Sequence, residues 1–287
     1  MPVPCILAAR QFDAQAHRPF WIGDERVGWL RDFDAALLLE RWPHIFVRTA
    51  GQRGERIALA AHFDNVQTRS AALGAVIDAL AALGKIPGWR NETYAIRNAF
   101  EAPPLAYIER AASRFFGTMT WAVHLNGIVQ GTHDAPRLWI ARRSKTKATD
   151  PGMLDNVVAG GIGWNFGVMQ TLVKECDEEA DIDAPLALRA TAGRSVYILS
   201  PLPEGTQAEQ IFVYDLMLPE DFVPHNRDGE VSEHRLMRID EVTHQIATGA
   251  LTVDASLATL DCLLRRKWID ATFCEGIDTL FSPPPSL

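Results

Sequence analysis

The sequence predicts an α/β protein made of two units, the first ending near residue 117. Three observations carry this reading. The first hundred-odd residues alternate short strand-like runs with helix-like stripes. Beyond Gly117 the pattern changes to strand-like runs around one glycine-rich loop and one strongly amphipathic helix. The 287 residues exceed the roughly 100–200 of a usual domain, and 47% of them are hydrophobic, ample for two cores.

Each element has a local reason. FWIGDERVGWL (20–30) reads as two strands around a turn at Gly23–Asp24. DFDAALLLERW (32–42) puts an N-capping aspartate, Asp32 or Asp34, ahead of an apolar stripe and predicts a helix. HIFVRTA and RIALAA are strands joined by a turn from Gly51 to Gly54. RSAALGAVIDALAALG (69–84) predicts an amphipathic helix that stops at Gly84. Pro103 and Pro104, favourable in a first turn, open a third predicted helix through LAYIERAASRFF to Gly117. TMTWAVHLNGIVQ (118–130) reads as strand, turn at Asn126–Gly127, strand, and RLWIARRSK (137–145) as a strand with a basic end. VVAGGIGWNFG (157–167) is a glycine-rich loop that feeds a helix over residues 168–182. SVYILSPL, EQIFVYDLML and a helix-like IDEVTHQIA follow, and SPPPSL reads as a loose tail.

Composition excludes several classes. A net charge of −8 and a pI near 5.5 argue against bulk binding to nucleic acid or an anionic membrane. A local basic pocket is still compatible with them. Cys5, Cys176, Cys262 and Cys274 show neither C-x-x-C spacing nor a compact disulfide framework. MPVPCILAARQFDAQ lacks the basic start and apolar run of a secretory signal. No stretch approaches the roughly 20 apolar residues of a membrane span, so a cytoplasmic location is expected.

The chemistry is expected at KECDEE (174–179). Met169, Leu172, Val173, Cys176 and Ala180 recur at offsets of three and four and define a buried stripe. Glu175, Glu178 and Glu179 fall beside it at i, i+3 and i+4, so three carboxylates leave one helix face together. Asp177 points elsewhere. Like charges so placed destabilise one another unless a cation sits among them, and clustered oxygens suit Mg²⁺ or Mn²⁺. A solvated acidic ridge is the alternative. The upstream glycines allow backbone to approach an ion or a phosphate closely.

GGIGWNFGVMQTLVKECDEEADI resembles the Nudix box, G-x5-E-x7-R-E-U-x-E-E-x-G-U, of the Nudix hydrolase family. Gly160 takes the first position, Lys174 that of the arginine, Glu175 the next glutamate, and Glu178 and Glu179 the final pair. Phe166 replaces the first glutamate, Asp181 the late glycine, and Cys176 stands at the aliphatic position. WIARRSKTKATDPGMLDNVVAGGIGWNFG and EQIFVYDLMLPEDFVPHNRDGEV are similar to the subgroup related to thiamine pyrophosphokinase, as are GKIPGWRNETYAI and IERAASRFFGTMTWAVHLNGIV.

The resemblance implies an N-terminal α/β accessory domain (1–117) and a Nudix α/β/α sandwich (118–287). It also implies metal-dependent hydrolysis of a diphosphate bond, with thiamine pyrophosphate or an oxidised analogue as the favoured substrate. A nucleoside diphosphate linked to another group, such as ADP-ribose, is the alternative, and a non-catalytic Nudix-like module is the rival of another class. Glu175 is the expected general base and a metal ligand, with Lys174 beside it. Gly160, through its carbonyl, and Glu178 and Glu179 complete the implied metal set.

For the phosphates, the basic run Arg142, Arg143, Lys145 and Lys147 is the candidate. Strand alternation lets only one of Arg142 and Arg143 reach them. Trp164, Trp89, Trp121 and Arg90 are candidates for reading a flat ring. His124 and His133 lack a spaced partner and read as structural. Among later acids, Glu209, Glu230 and Glu233 stand where an extra carboxylate is sometimes supplied. The expected partner is a small-molecule diphosphate, with neither nucleic acid nor membrane, and a homodimer is left open.

Overall fold

The computed structural model describes residues 3–51, 54–131 and 135–284, so His133 and part of the Gly51–Gly54 turn lie outside the described residues. The chain opens with α1 (Pro4–Ala8), β1 (His17–Ile22), β2 (Glu25–Arg31), α2 (Asp32–Arg41), β3 (Phe46–Gly51), β4 (Gly54–Leu59) and α3 (Val66–Ala82). β5 (Thr93–Ile96), β6 (Ala106–Glu109) and α4 (Ala112–Phe116) follow. Four strands form a sheet ordered β2-β1-β4-β3, in which only β1 and β4 are parallel. α3 begins at a capping box in which Asn65 Oδ1 accepts from Thr68 N at 2.9 Å. Phe20, Phe46 and Phe116 pack with Leu73, Ile77 and Leu80 of α3 to form this unit's core.

Two expectations are corrected here. The stretch after Pro104 is not one helix. Ala106 and Ile108 alternate inward on β6, which pairs antiparallel with β5, and only residues 112–116 are helical before Gly117 turns left-handed at φ +58°. Asn126–Gly127 is not a turn, because β7 (Met119–Val129) runs straight through it. The Asn126 amide donates to Asp215 Oδ1 at 3.1 Å and to Ala258 O at 3.2 Å, so the polar side chain is satisfied inside the core. A Cβ at Gly127 would stand 2.9 Å from both Leu218 and Val157, which press on the strand there.

The second unit continues with β8 (Arg137–Arg143), β9 (Leu154–Asn156), β10 (Val158–Gly161), α5 (Val168–Ala180) and α6 (Ala184–Ala187). Then come β11 (Thr191–Ala192), β12 (Val196–Leu202), β13 (Gly205–Met217), β14 (Val231–Arg238), α7 (Ile239–Ala247) and α8 (Val253–Arg265). The sheet runs β11-β13-β7-β8-β14, with β7 and β13 parallel and β9, β10 and β12 paired at its margins. Successive side chains of a strand point to opposite faces, and both faces are covered. Val123, Leu125 and Val129 meet Leu172 and Cys176 of α5. On the other face Ile128, Leu138 and Ile140 meet Leu257 and Leu260 of α8. The result is an α/β/α sandwich.

α1 does not pack with its own sheet. Val3, Cys5, Ile6 and Ala9 join the core beneath α8, and Leu199 N donates to Ala9 O at 3.0 Å. All four cysteines are buried and free. Among the described residues no helix is long and apolar enough to cross a membrane.

Candidate active site

A cavity of about 520 Å³ opens between the two units. The first unit contributes Arg90, Asn91, Glu92, Thr93, Arg110 and Arg114. The second contributes residues from Ala159 to Phe166, which the sequence reads as one loop but which begin on strand β10, the helix residues Lys174, Glu175 and Glu178, and Arg143, Lys147, Glu209, Asp228, Glu230 and Asp254.

α5 divides its three glutamates. Glu175 and Glu178 line the cavity and share one counter-ion, with Lys174 Nζ 3.1 Å from Glu175 Oε1 and 2.5 Å from Glu178 Oε2. Burial raises the Glu175 pKa, and Lys174 opposes that rise. Glu179 points inward, is 4% exposed, and accepts from Ala159 N at 2.8 Å. Burial lifts its carboxyl well above the usual range. Asp177 lies apart, paired with Arg227.

Glu179 gathers two acids from far down the chain. Oxygen atoms of Glu179, Asp228 and Glu230 all lie within 4.8 Å of one another. The Lys147 ammonium pairs with Glu230 and stands 3.8 Å from Glu179 Oε1. An all-oxygen donor set with a buried carboxylate fits a hard divalent cation. Glu230 is among the later acids marked by the sequence, whereas Asp228 is not, since a lone aspartate in a loop carries no periodic signal.

Gly160 lies on β10 opposite Val123. A Cβ there would stand 2.8 Å from Glu175 Oε1 and closer still to Glu175 Cγ and Cδ, so the missing side chain is what admits the glutamate. Phe166, at the motif's first glutamate position, is 42% exposed at the cavity edge. Trp164 lines the cavity, its backbone N–H donating to Thr93 O at 2.8 Å and its ring 5.0 Å from that of Tyr107. Arg90 lines it too, with its backbone N–H donating to Glu109 Oε1 at 2.9 Å.

The basic run is split. Arg143 lines the cavity with all three guanidinium nitrogens engaged, Nη1 on Asp155 Oδ2 at 2.6 Å and Nε and Nη2 on Thr149 O. Two residues expected at the phosphates are placed elsewhere. Arg142 turns away, donating to Glu233 and to Gly152 O, and Lys145 is exposed outside the cavity lining. Strand alternation accounts for the first, and the loop after β8 for the second. Trp121 is buried, and Trp89 is exposed with its indole N–H on Asn91.

His124 lines the cavity, and its Nδ1 is hydrogen-bonded to Asn156 Oδ1 at 2.8 Å within a buried network that includes Asn126 and Thr259. Asp254, on α8, was not signalled by the sequence. Burial, with Glu209 adding repulsion, pushes its carboxyl up to about 8.

Comparison with known proteins supplies the class. A family profile described as the NUDIX domain matches residues 122–257, and one described as a domain of unknown function, DUF4743, matches 4–120. The chain is 39% identical over 253 residues to Nudix hydrolase 24, chloroplastic, of Arabidopsis thaliana, covering 88% of this chain and 68% of that one. Against Nudix hydrolase 20, chloroplastic, of the same plant, identity is 37% over 257 residues, with the same coverage. A crystallised Deinococcus radiodurans protein aligns with a TM-score of 0.47 at 22% identity, over 59% of this chain and 99% of that one. The chain belongs to the Nudix hydrolase family. Its reaction is hydrolysis of a diphosphate bond, and enzymes of this family are generally dependent on a divalent metal.

Proposed function

We propose that the protein cleaves the diphosphate of thiamine pyrophosphate or an oxidised analogue, adding water to give the monophosphate and orthophosphate, with Mg²⁺ or Mn²⁺ as the metal. One observation carries the reading. A single cavity is lined by carboxylates of α5 together with an indole and guanidinium groups, which suit a flat heteroaromatic ligand and its phosphates. The similarity of several segments to the subgroup related to thiamine pyrophosphokinase supports the choice of substrate.

Glu179, Asp228 and Glu230 would hold the cation, with Glu175 and Glu178 alongside. When bound, the cation neutralises charge on the diphosphate oxygens and acidifies water. Glu175 orients the attacking water and takes its proton. Its raised proton affinity, a consequence of burial, brings it nearer the value a base needs at neutral pH. Lys174 fixes the carboxylate in place through the 3.1 Å contact. Trp164 and Arg90 hold the organic part.

The test follows orthophosphate from thiamine pyrophosphate and its oxidised analogue, and AMP from ADP-ribose, whose cleavage gives two phosphate monoesters, each with and without Mg²⁺. Metal-dependent cleavage of the thiamine compounds is expected, and cleavage of ADP-ribose alone overturns the substrate. Arg90→Ala should lower kcat/KM on the thiamine compound selectively. Equal loss on both substrates, or none, removes Arg90 from ring recognition.

A further inference from the structure

Arg110 belongs to the first unit, between β6 and α4, yet it opens into the catalytic cavity. Its backbone N–H donates to Glu92 O at 2.8 Å, and Nη1 donates to Glu92 Oε2 at 3.0 Å. The guanidinium carbon lies 5.5 Å from the Tyr94 ring centre. A Cβ on Gly161 would stand 2.9 Å from Nη2 and closer still to the Tyr94 hydroxyl, so the guanidinium lies against the β10 backbone at Gly161, the residue after Gly160. Glu175 feels its charge, which pulls the carboxyl pKa down against burial.

Apart from Arg90, assigned above to the organic group, the neighbouring cations of the cavity are committed. Arg143 gives all three guanidinium nitrogens to Thr149 and Asp155. Lys147 is held by Glu230 and Glu179, Lys174 by Glu175 and Glu178, and Arg114 by Glu204. Arg110 gives one nitrogen to Glu92 and keeps 37% of its side chain exposed, toward the cavity it lines. A planar guanidinium whose other N–H groups meet no acceptor among the described residues is suited to two oxygens of one phosphate, which a lysine at the motif's arginine position is not.

We propose that Arg110 binds non-bridging oxygens of the substrate's diphosphate, so that the accessory domain contributes directly to phosphate recognition. This rests on the reading of the cavity as a diphosphate site, and leaves the identity of the organic group aside.

The test is calorimetric binding of imidodiphosphate, a non-hydrolysable diphosphate, in Mg²⁺ to the full chain. Arg110→Ala should weaken binding roughly 10- to 100-fold, the loss of charge-assisted hydrogen bonds. Arg110→Lys should fall between this variant and wild type, and added guanidinium ion should restore part of the binding to Arg110→Ala. Wild-type affinity in both variants overturns the proposal. So does a loss that neither lysine nor guanidinium lessens, because that is the behaviour of a structural residue. If Arg110→Ala does not fold, Arg110→Lys decides: binding within twofold of wild type rejects the role. Should wild type bind imidodiphosphate but hydrolyse no thiamine compound, the substrate reading falls while this test stands.

Discussion

Gly160→Ala isolates the geometry around Glu175. The added methyl would sit 2.8 Å from Glu175 Oε1, with Cγ and Cδ nearer still. Carbon atoms in contact settle at roughly 3.5–4.0 Å, so the carboxylate must retreat by on the order of 1 Å. The atoms that give way are the far end of a flexible side chain, whereas the strand around Gly160 is paired with β7 and stays in place. Folding should therefore survive, with a melting temperature within about 4 °C of wild type, equivalent to roughly 1 kcal/mol. Turnover should not survive, because displacing a reacting group by about 1 Å costs on the order of 10²-fold. Gly163→Ala in the same loop is the control, since its methyl meets only ordinary contacts at 3.7 and 3.8 Å. The assay is phosphate release under saturating Mg²⁺, beside thermal unfolding of each variant. A folded Gly160→Ala protein with wild-type turnover refutes the assignment of Glu175 to the attacking water.

Glu175→Gln keeps the shape and removes the base, so turnover should fall on the order of 10²-fold or more while circular dichroism is unchanged; unaltered phosphate release rejects the mechanism. His234 is held down to about 4 from 6.5, chiefly by burial and then by His225, and its Nε2 has no partner among the described residues. Its folded value lies below its unfolded value, so its stability contribution is complete above pH 6.5 and is lost as pH falls through about 4. Melting temperatures at pH 7, 5.5 and 4 should fall less steeply for His234→Asn than for wild type, and parallel curves sink the idea. Ile6→Ala, in the α1 segment, should cost about 2–4 kcal/mol in urea unfolding. A change within the error of the fit would mean that α1 contributes nothing to the second core.

What the sequence discloses is what is local. The stripe through Leu172 and Cys176 and the shared face of Glu175 and Glu178 follow from helical period alone, and Arg142 and Arg143 are separated by strand period alone; Glu179, expected on the same ridge, is instead buried. The partners of Glu179 are not local. Asp228 and Glu230 reach it only because β14 lies beside β8, whose following loop carries Lys147. α8 escapes pattern reading for a different reason. It is buried nearly all round, and its charged residues Asp254, Asp261 and Arg265, which share one side, face protein partners, with Asp261 paired to Arg194 and Arg265. Residues 118–130 mislead because an Asn-Gly pair is a turn signal on a surface, and here it is inside a sheet covered on both faces.

The seating of α1 under α8 sets an order on synthesis. Arg10 Nη2 donates to Thr279 O at 2.7 Å across 269 positions of sequence. At roughly 5–20 residues per second, a ribosome makes the first helix many seconds before the surface that receives it. Through that interval Val3, Cys5 and Ile6 have no core to enter, while the first sheet can already close on α3. The second core therefore cannot be completed as the nascent chain emerges. Its last piece is made well before the surface that receives it, and such a segment is exposed to chaperones, and to neighbouring nascent chains, throughout that interval.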